Sequence, residues 1–483
     1  MAISETAPAR DSAQLKDSAL AFAASPWALV AVLAVALIAY APSLTGWFDG
    51  DDFWFLRGAH EHGLWRYTFD SFDPRLTDPS NEFNRYRPLY PIAWRWQYEL
   101  FGMHAFAYHA VVVAAHLACC VLVWWIARRL LRADWTATLA TAIFALHPVN
   151  AGTVAWISGN RVFSTLPFLA ALLLFMRLLD RTSERRGLAL AGSVLCYVIA
   201  VLMHSSTVVL LPVLVAYGFG LAGEPREALR IRNWLIYAPF AVIAAGLTVV
   251  QLYVRHHLNF DGDFRFGWHQ YSIYGQYLAL LLVPPDPGEF HNGISDLLSF
   301  LRGAGALLFI GAMIATVATR PVRRIALFAA IWMLLSLLPD STLVFAVSGR
   351  VLYLATVPFA IFAVAMLMWA IEAAERARVD IRSVAIVGAA AALIAAVALT
   401  ADRANKVTER SEDSHRFAMA LRDEGPDVPA GGVLYLDKVP ASLTFAPTWA
   451  TSLAALYYPD HEIQRLSASS RPGPDDRVFR YEP

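Results

Sequence analysis

The chain contains little charge and few lysines or cysteines. Only 16% of its 483 residues are charged, whereas 57% are hydrophobic, which is far more apolar than a soluble chain of this length. It also lacks a Walker loop, a dinucleotide fingerprint and any zinc-ligand spacing. No basic patch of the kind that binds nucleic acid is present, so we expect no nucleic-acid partner. These absences leave a membrane protein as the class to consider.

Cysteine and lysine are both scarce. The three cysteines are Cys119, Cys120 and Cys196. All three lie in apolar runs, so the sequence predicts no external disulfide framework. With only three lysines, almost all of the 39 basic residues are arginine. We interpret that bias as the coding preference of a GC-rich bacterial genome, which places the protein in a bacterial inner membrane.

Long apolar runs dominate the rest of the sequence. A hydrocarbon core of roughly 30 Å requires about 20 apolar residues in a helix. Runs of this kind, some of them shorter, occur near 26–46, 105–127, 135–150, 162–176, 187–203, 207–223, 233–254, 298–318, 325–338, 351–370 and 383–400. The sequence therefore predicts an α-helical polytopic membrane protein with about 11 transmembrane helices.

Arginine clusters indicate how these helices are oriented. Clusters follow the second, fourth, sixth, eighth and tenth runs, and cationic loops tend to remain cytoplasmic. The N-terminal segment 1–25 is then cytoplasmic, and it lacks the basic start and cleavage site of a removable signal peptide. The long loop 47–104 and the tail 401–483 are expected on the external side, with the C-terminus in the periplasm.

The two external segments differ in their predicted structure. Loop 47–104 is rich in tryptophan and is predicted to hold two interfacial helical pieces around the turn-forming stretch Asp73–Ser80. The tail 401–483 is predicted to begin with a charged helix, 401–424. A strand at 431–437, a helix near 446–457 and a strand near 462–467 follow, which makes a small α/β domain. The apolar segment 271–283 is too short for a full span, and we expect a re-entrant or interfacial helix there.

Three carboxylates stand where the first apolar run ends, at Asp49, Asp51 and Asp52. Adjacent residues on a helix point about 100° apart, so Asp51 and Asp52 are not expected to share one task. One is a candidate catalytic general base for an acceptor hydroxyl, and its neighbour a candidate to bind a cation or orient the loop. The alternative is that one of them caps a helix beginning at Phe53. The identity of any metal stays unknown, with a divalent cation left open.

Cationic or ionisable side chains recur at the outer ends of other runs: Arg87, His147, Arg161, His204 and Arg350. If these loops converge, they would bind an anionic group such as a lipid phosphate, which suits the planar guanidinium. The alternative for each is a snorkelling or capping role. His109 and His116 lie inside the second run, where a buried histidine satisfied by a neighbouring helix is the expected role.

Several motifs occur in a recognisable order. They are Asp51-Asp52, Tyr86-Arg-Pro-Leu89, Phe101-Gly-Met-His-Ala-Phe-Ala-Tyr-His109, His147-Pro-Val-Asn150, Val154-Ala-Trp-Ile-Ser158, Leu338-Pro339 and Arg350-Val-Leu-Tyr353. Together they resemble the membrane part of the tetratricopeptide-containing O-mannosyltransferases and their bacterial relatives, over most of 40–370. The chain departs from that pattern at Gly159-Asn160-Arg161-Val162, which lacks an acid after the arginine, and at His204-Ser205. The tetratricopeptide repeats are also absent.

The resemblance implies a GT-C glycosyltransferase fold, with a transmembrane domain over 26–400. In such an enzyme a sugar on a polyprenyl phosphate donor is transferred at the external face to a glycan, lipid or protein acceptor, among membrane lipids. An Asp of the pair Asp51-Asp52 would be the base. Arg87, Arg161, Arg350 and His204 would bind the donor phosphate, with His147 and Tyr353 as further site residues.

Two other functions are compatible with the same pattern. A non-catalytic transporter or flippase of lipid-linked glycans would use an outer cationic cavity too. It would also need a polar path through the bilayer, and few ionisable groups apart from His116 lie in mid-span. A degenerate relative that only scaffolds envelope assembly is the third alternative. The scarcity of mid-span charge favours the enzyme.

Overall fold

A computed structural model describes residues 23, 25–76, 86–180, 185–222, 234–257, 267–284, 297–318, 322–342, 348–444, 446–467 and 469–481. Most of segment 1–25, the second half of the stretch Asp73–Ser80 and the arginines at 226, 230, 232 and 320 lie outside these residues. The alternation of arginine clusters is therefore visible in the structure only for the remaining loops.

Helices make up most of the described chain. In chain order they are α1 (Pro26–Tyr40), α2 (Asp52–Glu61), α3 (Leu64–Asp70), α4 (Leu89–Phe101), α5 (Ala105–Leu131), α6 (Asp134–Ala145), α7 (Ala151–Val154), α8 (Asn160–Leu178), α9 (Arg186–Met203), α10 (Leu210–Tyr217), α11 (Ala238–His257), α12 (His269–Leu282), α13 (Leu297–Ala318), α14 (Arg323–Ser341), α15 (Thr356–Arg376) and α16 (Arg382–Glu424). Short 3-10 turns cover Ala41–Thr45, Pro148–Asn150, Ser205–Val209 and Gly349–Leu352. A proline at the first position of α1 suits a helix start, because its missing N–H would have no intrahelical partner there.

Every predicted apolar run overlaps a helix of the structure. Seven described helices are long and apolar enough to cross a membrane, among them α5 with 27 residues and α8 with an 18-residue span, Arg161–Leu178. Three shorter apolar helices, Ser205–Leu221, Ala238–Val254 and Ala304–Ala315, match three further runs, and the run 135–150 corresponds to the 12 residues of α6. The prediction of a polytopic helical membrane protein is confirmed, whereas the count of eleven stays a prediction.

Helix α12 differs from the spanning helices. Its 14 residues cover only about 21 Å at 1.5 Å per residue, less than the hydrocarbon core. It packs on one end of α14: the Gln270 amide donates to the Ser341 hydroxyl at 3.0 Å, and the Tyr274 hydroxyl donates to the Leu334 carbonyl at 3.2 Å. These dimensions agree with the interfacial or re-entrant helix expected for 271–283.

The tail forms a small sheet beside the last long helix. Strands β1 (Val433–Asp437), β2 (Glu462–Arg465) and β3 (Arg477–Arg480) pair in parallel in the order β2-β1-β3, and helix α17 (Pro447–Ala455) lies between β1 and β2 in the chain. The sequence predicted β1, α17 and β2 but missed β3. Helix α16 runs unbroken through residue 400, so the predicted boundary between membrane domain and tail falls inside one helix. We call residues 401–481 the C-terminal unit.

Two apolar cores hold these parts together. The larger one fills the helix bundle, with fully buried side chains such as Trp332, Phe144 and Phe168. The second core joins the loop helices α2 and α4 to the C-terminal unit, through buried side chains that include Phe53 and Trp94 on one side and Phe417 and Leu434 on the other. Because this core lies next to the acidic residues at 49–52, it fixes the C-terminal unit against them.

Candidate functional site

The acidic turn, which we define as residues 49–52, is in contact with two tryptophan side chains. Gly50 has φ +60°, and a Cβ there would meet ring carbons of Trp156 and Trp449 at 3.2 Å. Each indole donates a hydrogen bond to a residue beside the glycine: Trp156 to the Asp49 carbonyl at 2.9 Å, and Trp449 to the Asp51 carboxylate at 3.1 Å. Glycine is required here by both the left-handed backbone and the close approach. The turn is thereby held in a single position.

Asp52 is completely buried at the first position of α2. One carboxylate oxygen accepts from the backbone N–H and the hydroxyl of Ser158, and the other accepts from the Asp49 N–H at 2.9 Å. Burial raises the pKa of Asp52 well above its ordinary value, although the Ser158 hydrogen bond opposes that shift. The side chain joins the acidic turn to the loop after α7, and its oxygens point into the protein.

Asp49 is also buried and binds the C-terminal unit. Its carboxylate accepts from the Arg410 guanidinium and, at 3.1 Å, from the Ser414 hydroxyl, both on α16. Arg410 is separated from Asp49 by 361 residues along the chain, and no spacing rule links them. This ion pair was not predicted from the sequence.

Asp51 is the acid of this turn whose side chain is partly exposed. Its side chain is 20% exposed, and its second oxygen lies 4.0 Å from the Arg350 guanidinium. Burial raises the pKa of Asp51 above its ordinary value, while Arg350, the Trp449 hydrogen bond and Arg87 oppose the shift. A carboxylate whose pKa is raised but which stays beside a cation suits proton abstraction at neutral pH.

Arg350 lies beside Asp51 and belongs to the 3-10 turn Gly349–Leu352. Its guanidinium lies over the Trp156 ring, 4.2 Å from the ring centroid, and 29% of its side chain is exposed. Burial lowers the pKa of Arg350 to about 10, partly offset by Asp51, so it remains charged at neutral pH. The Thr153 hydroxyl donates to the Arg350 carbonyl at 3.2 Å and anchors the turn. A fixed, charged and partly exposed arginine is well suited to an anionic ligand.

Arg161 and His204 meet in a separate buried network. Arg161 donates two hydrogen bonds to Asp340 at 2.7 and 2.9 Å and a third to the Ser206 hydroxyl at 2.9 Å. The Ser206 hydroxyl is 2.7 Å from Nδ1 of His204, which also accepts from the Ser206 N–H. The charge of Arg161 is thus balanced inside the protein by Asp340, a residue that sequence reasoning missed although it directly follows the noted Leu338-Pro339.

Arg87 lies beside the acidic turn. It is 91% buried, and its guanidinium lies 5.6 Å from the centroid of the Tyr90 ring. Its positive charge is one of the influences that lower the pKa of Asp51. Four residues were predicted to bind phosphate. Two of them, Arg87 and Arg350, lower the pKa of Asp51. The other two, Arg161 and His204, both hydrogen-bond the Ser206 hydroxyl.

His147 and Tyr353 are placed in the protein interior. His147 accepts from the Val149 N–H at 3.3 Å and so caps the turn Pro148–Asn150, while burial lowers its pKa to about 4. The Tyr353 hydroxyl is 2.7 Å from Nδ1 of His116. Since the other nitrogen of His116 faces the Ala145 carbonyl at 3.2 Å and must donate to it, Tyr353 is the donor to His116. Both residues support the loops that carry the site.

Within the described residues there is no group of three or more His, Cys, Asp or Glu side chains arranged to hold a metal ion. The three carboxylates of the acidic turn are not directed at one common point. The oxygens of Asp49 and Asp52 instead accept hydrogen bonds from protein groups.

Known proteins were compared with the chain by sequence. No family model matches it. It is 32% identical over 151 residues to the mouse protein O-mannosyl-transferase TMTC1, and 28% identical over 197 residues to Drosophila melanogaster Tmtc2. These matches cover 30% and 38% of the chain but only 16% and 21% of the relatives. The chain thus resembles the O-mannosyltransferases over a part of their length.

Solved structures gave a broader match. The crystal structure of ArnT from Cupriavidus metallidurans bound to undecaprenyl phosphate aligns over 91% of this chain and 86% of that one, with a TM-score of 0.50 and 16% identity. The oligosaccharyltransferase of Archaeoglobus fulgidus aligns over 89% of this chain and 64% of that one, with a TM-score of 0.53 and 12% identity. The fold is that of the GT-C glycosyltransferases, as the sequence motifs implied.

Proposed function

We propose that this protein is an integral-membrane glycosyltransferase that transfers a sugar from a polyprenyl-phosphate donor to an acceptor. The observation that carries the proposal is the pairing of Asp51 and Arg350, a partly exposed acid and a partly exposed cation 4.0 Å apart within a GT-C fold. Both are fixed by buried neighbours, so they are organised before any substrate arrives.

The proposed reaction assigns one task to each side chain. Asp51 accepts the proton from an acceptor hydroxyl, whose oxygen forms a bond to the anomeric carbon of the sugar. The bond between that carbon and the phosphate oxygen breaks, and the polyprenyl phosphate leaves with the electron pair. Arg350, with Arg87 nearby, stabilises the negative charge on the leaving phosphate. Holding donor and acceptor together beside an apolar boundary supplies much of the remaining barrier reduction.

The donor class is supported by what related structures contain. The ArnT structure holds undecaprenyl phosphate, and a complex of the archaeal oligosaccharyltransferase AglB holds an inhibitory peptide and a dolichol-phosphate. Asp340 neutralises Arg161 in this chain, so we assign the leaving phosphate to Arg350 and Arg87. Arg161 and His204 then support the neighbouring loops.

The arginine pattern supports a proposal for the side of the membrane on which the site lies. The acidic turn, Arg350 and the C-terminal unit lie at one end of the helix bundle, opposite the end where Arg128 pairs with Asp134 and Arg129 with Asp180. Because arginine-rich loops tend to stay cytoplasmic, we place the site on the periplasmic side of a bacterial inner membrane. In this arrangement segment 1–25 is cytoplasmic, 26–400 forms the membrane domain and 401–483 the external one. The acceptor is a hydroxyl-bearing glycan, lipid or protein.

The test compares envelope glycans and glycoproteins by mass spectrometry in four strains. They carry the intact protein, a deletion, Asp51→Asn, or the control Asp70→Asn, at equal membrane abundance. Asp70 lies in the same loop but pairs on the surface with Arg66. We expect one sugar to be lost in the deletion and in Asp51→Asn and retained in Asp70→Asn. Loss in the deletion alone would contradict catalysis and favour a transporter or scaffold.

A further inference from the structure

The C-terminal unit contributes a side chain directly to the candidate base. Trp449, on α17, is buried and donates its indole N–H to one oxygen of Asp51 at 3.1 Å. Its ring also lies against Gly50, next to the ring of Trp156. A second tryptophan contact lies beside it: the Trp54 indole donates to the Thr448 hydroxyl at 2.9 Å. The C-terminal unit therefore contacts the acidic turn through Trp449 and the following helix α2 through Thr448, in addition to the contacts of Arg410 and Ser414 with Asp49.

The chemistry of the two contacts differs. An indole nitrogen only donates, so Trp449 favours the ionised form of Asp51 and fixes which oxygen faces it. The other oxygen of Asp51 is then directed toward Arg350, 4.0 Å away. The indole N–H of Trp54 ends on a threonine, while the Trp54 ring pairs with the Trp449 ring at 6.2 Å between centroids and the Trp54 backbone N–H donates to the Asp51 carbonyl at 3.1 Å. The hydrogen bond to the Asp51 carboxylate thus comes from Trp449, and the indole bond of Trp54 is made to a different acceptor, Thr448.

We propose that Trp449 is a positioning residue for Asp51, through which the C-terminal unit completes the active site. The inference depends on the proposed function only in its last step, where Asp51 acts as the base. Charged and titratable groups that face Asp51 from the membrane part are Arg350, Arg87, Asp49 and Asp52. Trp449 adds to these a neutral donor from the tail.

Two matched substitutions test the proposal. Trp449→Phe keeps an aromatic ring against Gly50 and removes the N–H, whereas Trp54→Phe makes the same change at the docking contact on Thr448. The protonation of Asp51 is followed by infrared difference spectroscopy of the full-length protein in lipid nanodiscs across pH, with Asp51→Asn identifying the carboxyl band. This measurement does not require a known substrate.

We expect Trp449→Phe to raise the pKa of Asp51 by roughly half to one unit, because a hydrogen bond to the charged form is lost. Trp54→Phe should leave that pKa unchanged. In a transfer assay, Trp449→Phe should lower kcat by roughly ten- to a hundredfold and move the acidic limb of the pH profile upward. Unchanged titration in Trp449→Phe, or an equal shift in Trp54→Phe, would overturn the proposal. If the titration shifts but the intact protein transfers no sugar, the positioning of Asp51 stands and the proposed function fails.

Discussion

Asp51 and Asp52 are adjacent, yet the structure gives them different tasks, and replacing each by asparagine separates those tasks. Asp51 is partly exposed beside Arg350. Asp52 is completely buried, and three protein donors bind its carboxylate. We expect Asp51→Asn to remove activity and keep the fold. Asp52→Asn should lower stability and affect activity less than Asp51→Asn does.

The size of the first effect follows from the role of a general base. A positioned base contributes about 10²- to 10⁴-fold to rate, and kcat should fall by that factor in Asp51→Asn. An asparagine oxygen still accepts from Trp449, so the contact at 3.1 Å survives. The midpoint of thermal unfolding should therefore stay close to that of the intact protein.

The size of the second effect follows from the hydrogen bonds of Asp52. The oxygen of an asparagine would still accept both bonds from Ser158. Its NH₂ group, however, would replace the oxygen that accepts from the Asp49 N–H, and two donors would then face each other. An unsatisfied buried N–H costs about 1–3 kcal/mol, which should appear as a lower unfolding midpoint in detergent.

The assay measures both quantities on the same purified samples: unfolding by fluorescence-detected size exclusion after heating, and transfer per folded molecule. The reasoning is refuted if Asp52→Asn abolishes transfer at native stability while Asp51→Asn remains active. That result would make Asp52 the base and would require the turn to open before substrate binds.

Three further predictions concern single contacts of the site. Arg350→Gln should lower kcat/KM by roughly 10- to 100-fold, because a charged contact to the donor phosphate is lost. It should also move the acidic limb of the pH profile upward, because Arg350 lowers the pKa of Asp51. An unchanged donor KM and pH profile would contradict this. Arg161→Met leaves Asp340 buried and unpaired and should cost about 3–5 kcal/mol in steric-trapping measurements, and adding Asp340→Leu should restore most of that stability with activity retained. A stable but inactive double variant would instead place Arg161 on the donor phosphate. Gly50→Ala should lower the unfolding midpoint, since a left-handed alanine costs about 1–2 kcal/mol at a φ of +60° and its Cβ would be crowded by ring carbons at 3.2 Å; an unchanged midpoint would show that the turn can relax.

Sequence reasoning succeeded where a local rule applies. Apolar runs of sufficient length predicted the helices of the bundle because a bilayer sets their length. The short segment 271–283 before Pro284 was expected not to span, and α12 has only 14 residues. The strand at 431–437 was predicted from its short run of apolar residues after two glycines, Gly431-Gly-Val-Leu-Tyr-Leu-Asp437. Strand β3 was missed because its four residues, Arg477–Arg480, carry two arginines.

Contacts between distant parts of the chain could not be predicted. Nothing in the sequence links Asp49 to Arg410 or Asp51 to Trp449, which are 361 and 398 positions apart. The partner of Arg161 was missed for a similar reason, since Asp340 belongs to the end of another helix. The pairs of Asp49 and Asp51 depend on how α16 and α17 pack on the acidic turn, which is a property of the second core.

The central claim is that Asp51 drives transfer of a lipid-linked sugar. The most direct measurement incubates reconstituted protein with membranes from the deletion strain, which hold both donor and acceptor, and follows polyprenyl phosphates and acceptors by mass spectrometry. We expect the intact protein to convert one polyprenyl-phosphate sugar to free polyprenyl phosphate and add one sugar mass to an acceptor, and Asp51→Asn to do neither. Equal conversion by Asp51→Asn, or no consumption of any lipid-linked sugar by the intact protein, would contradict the claim.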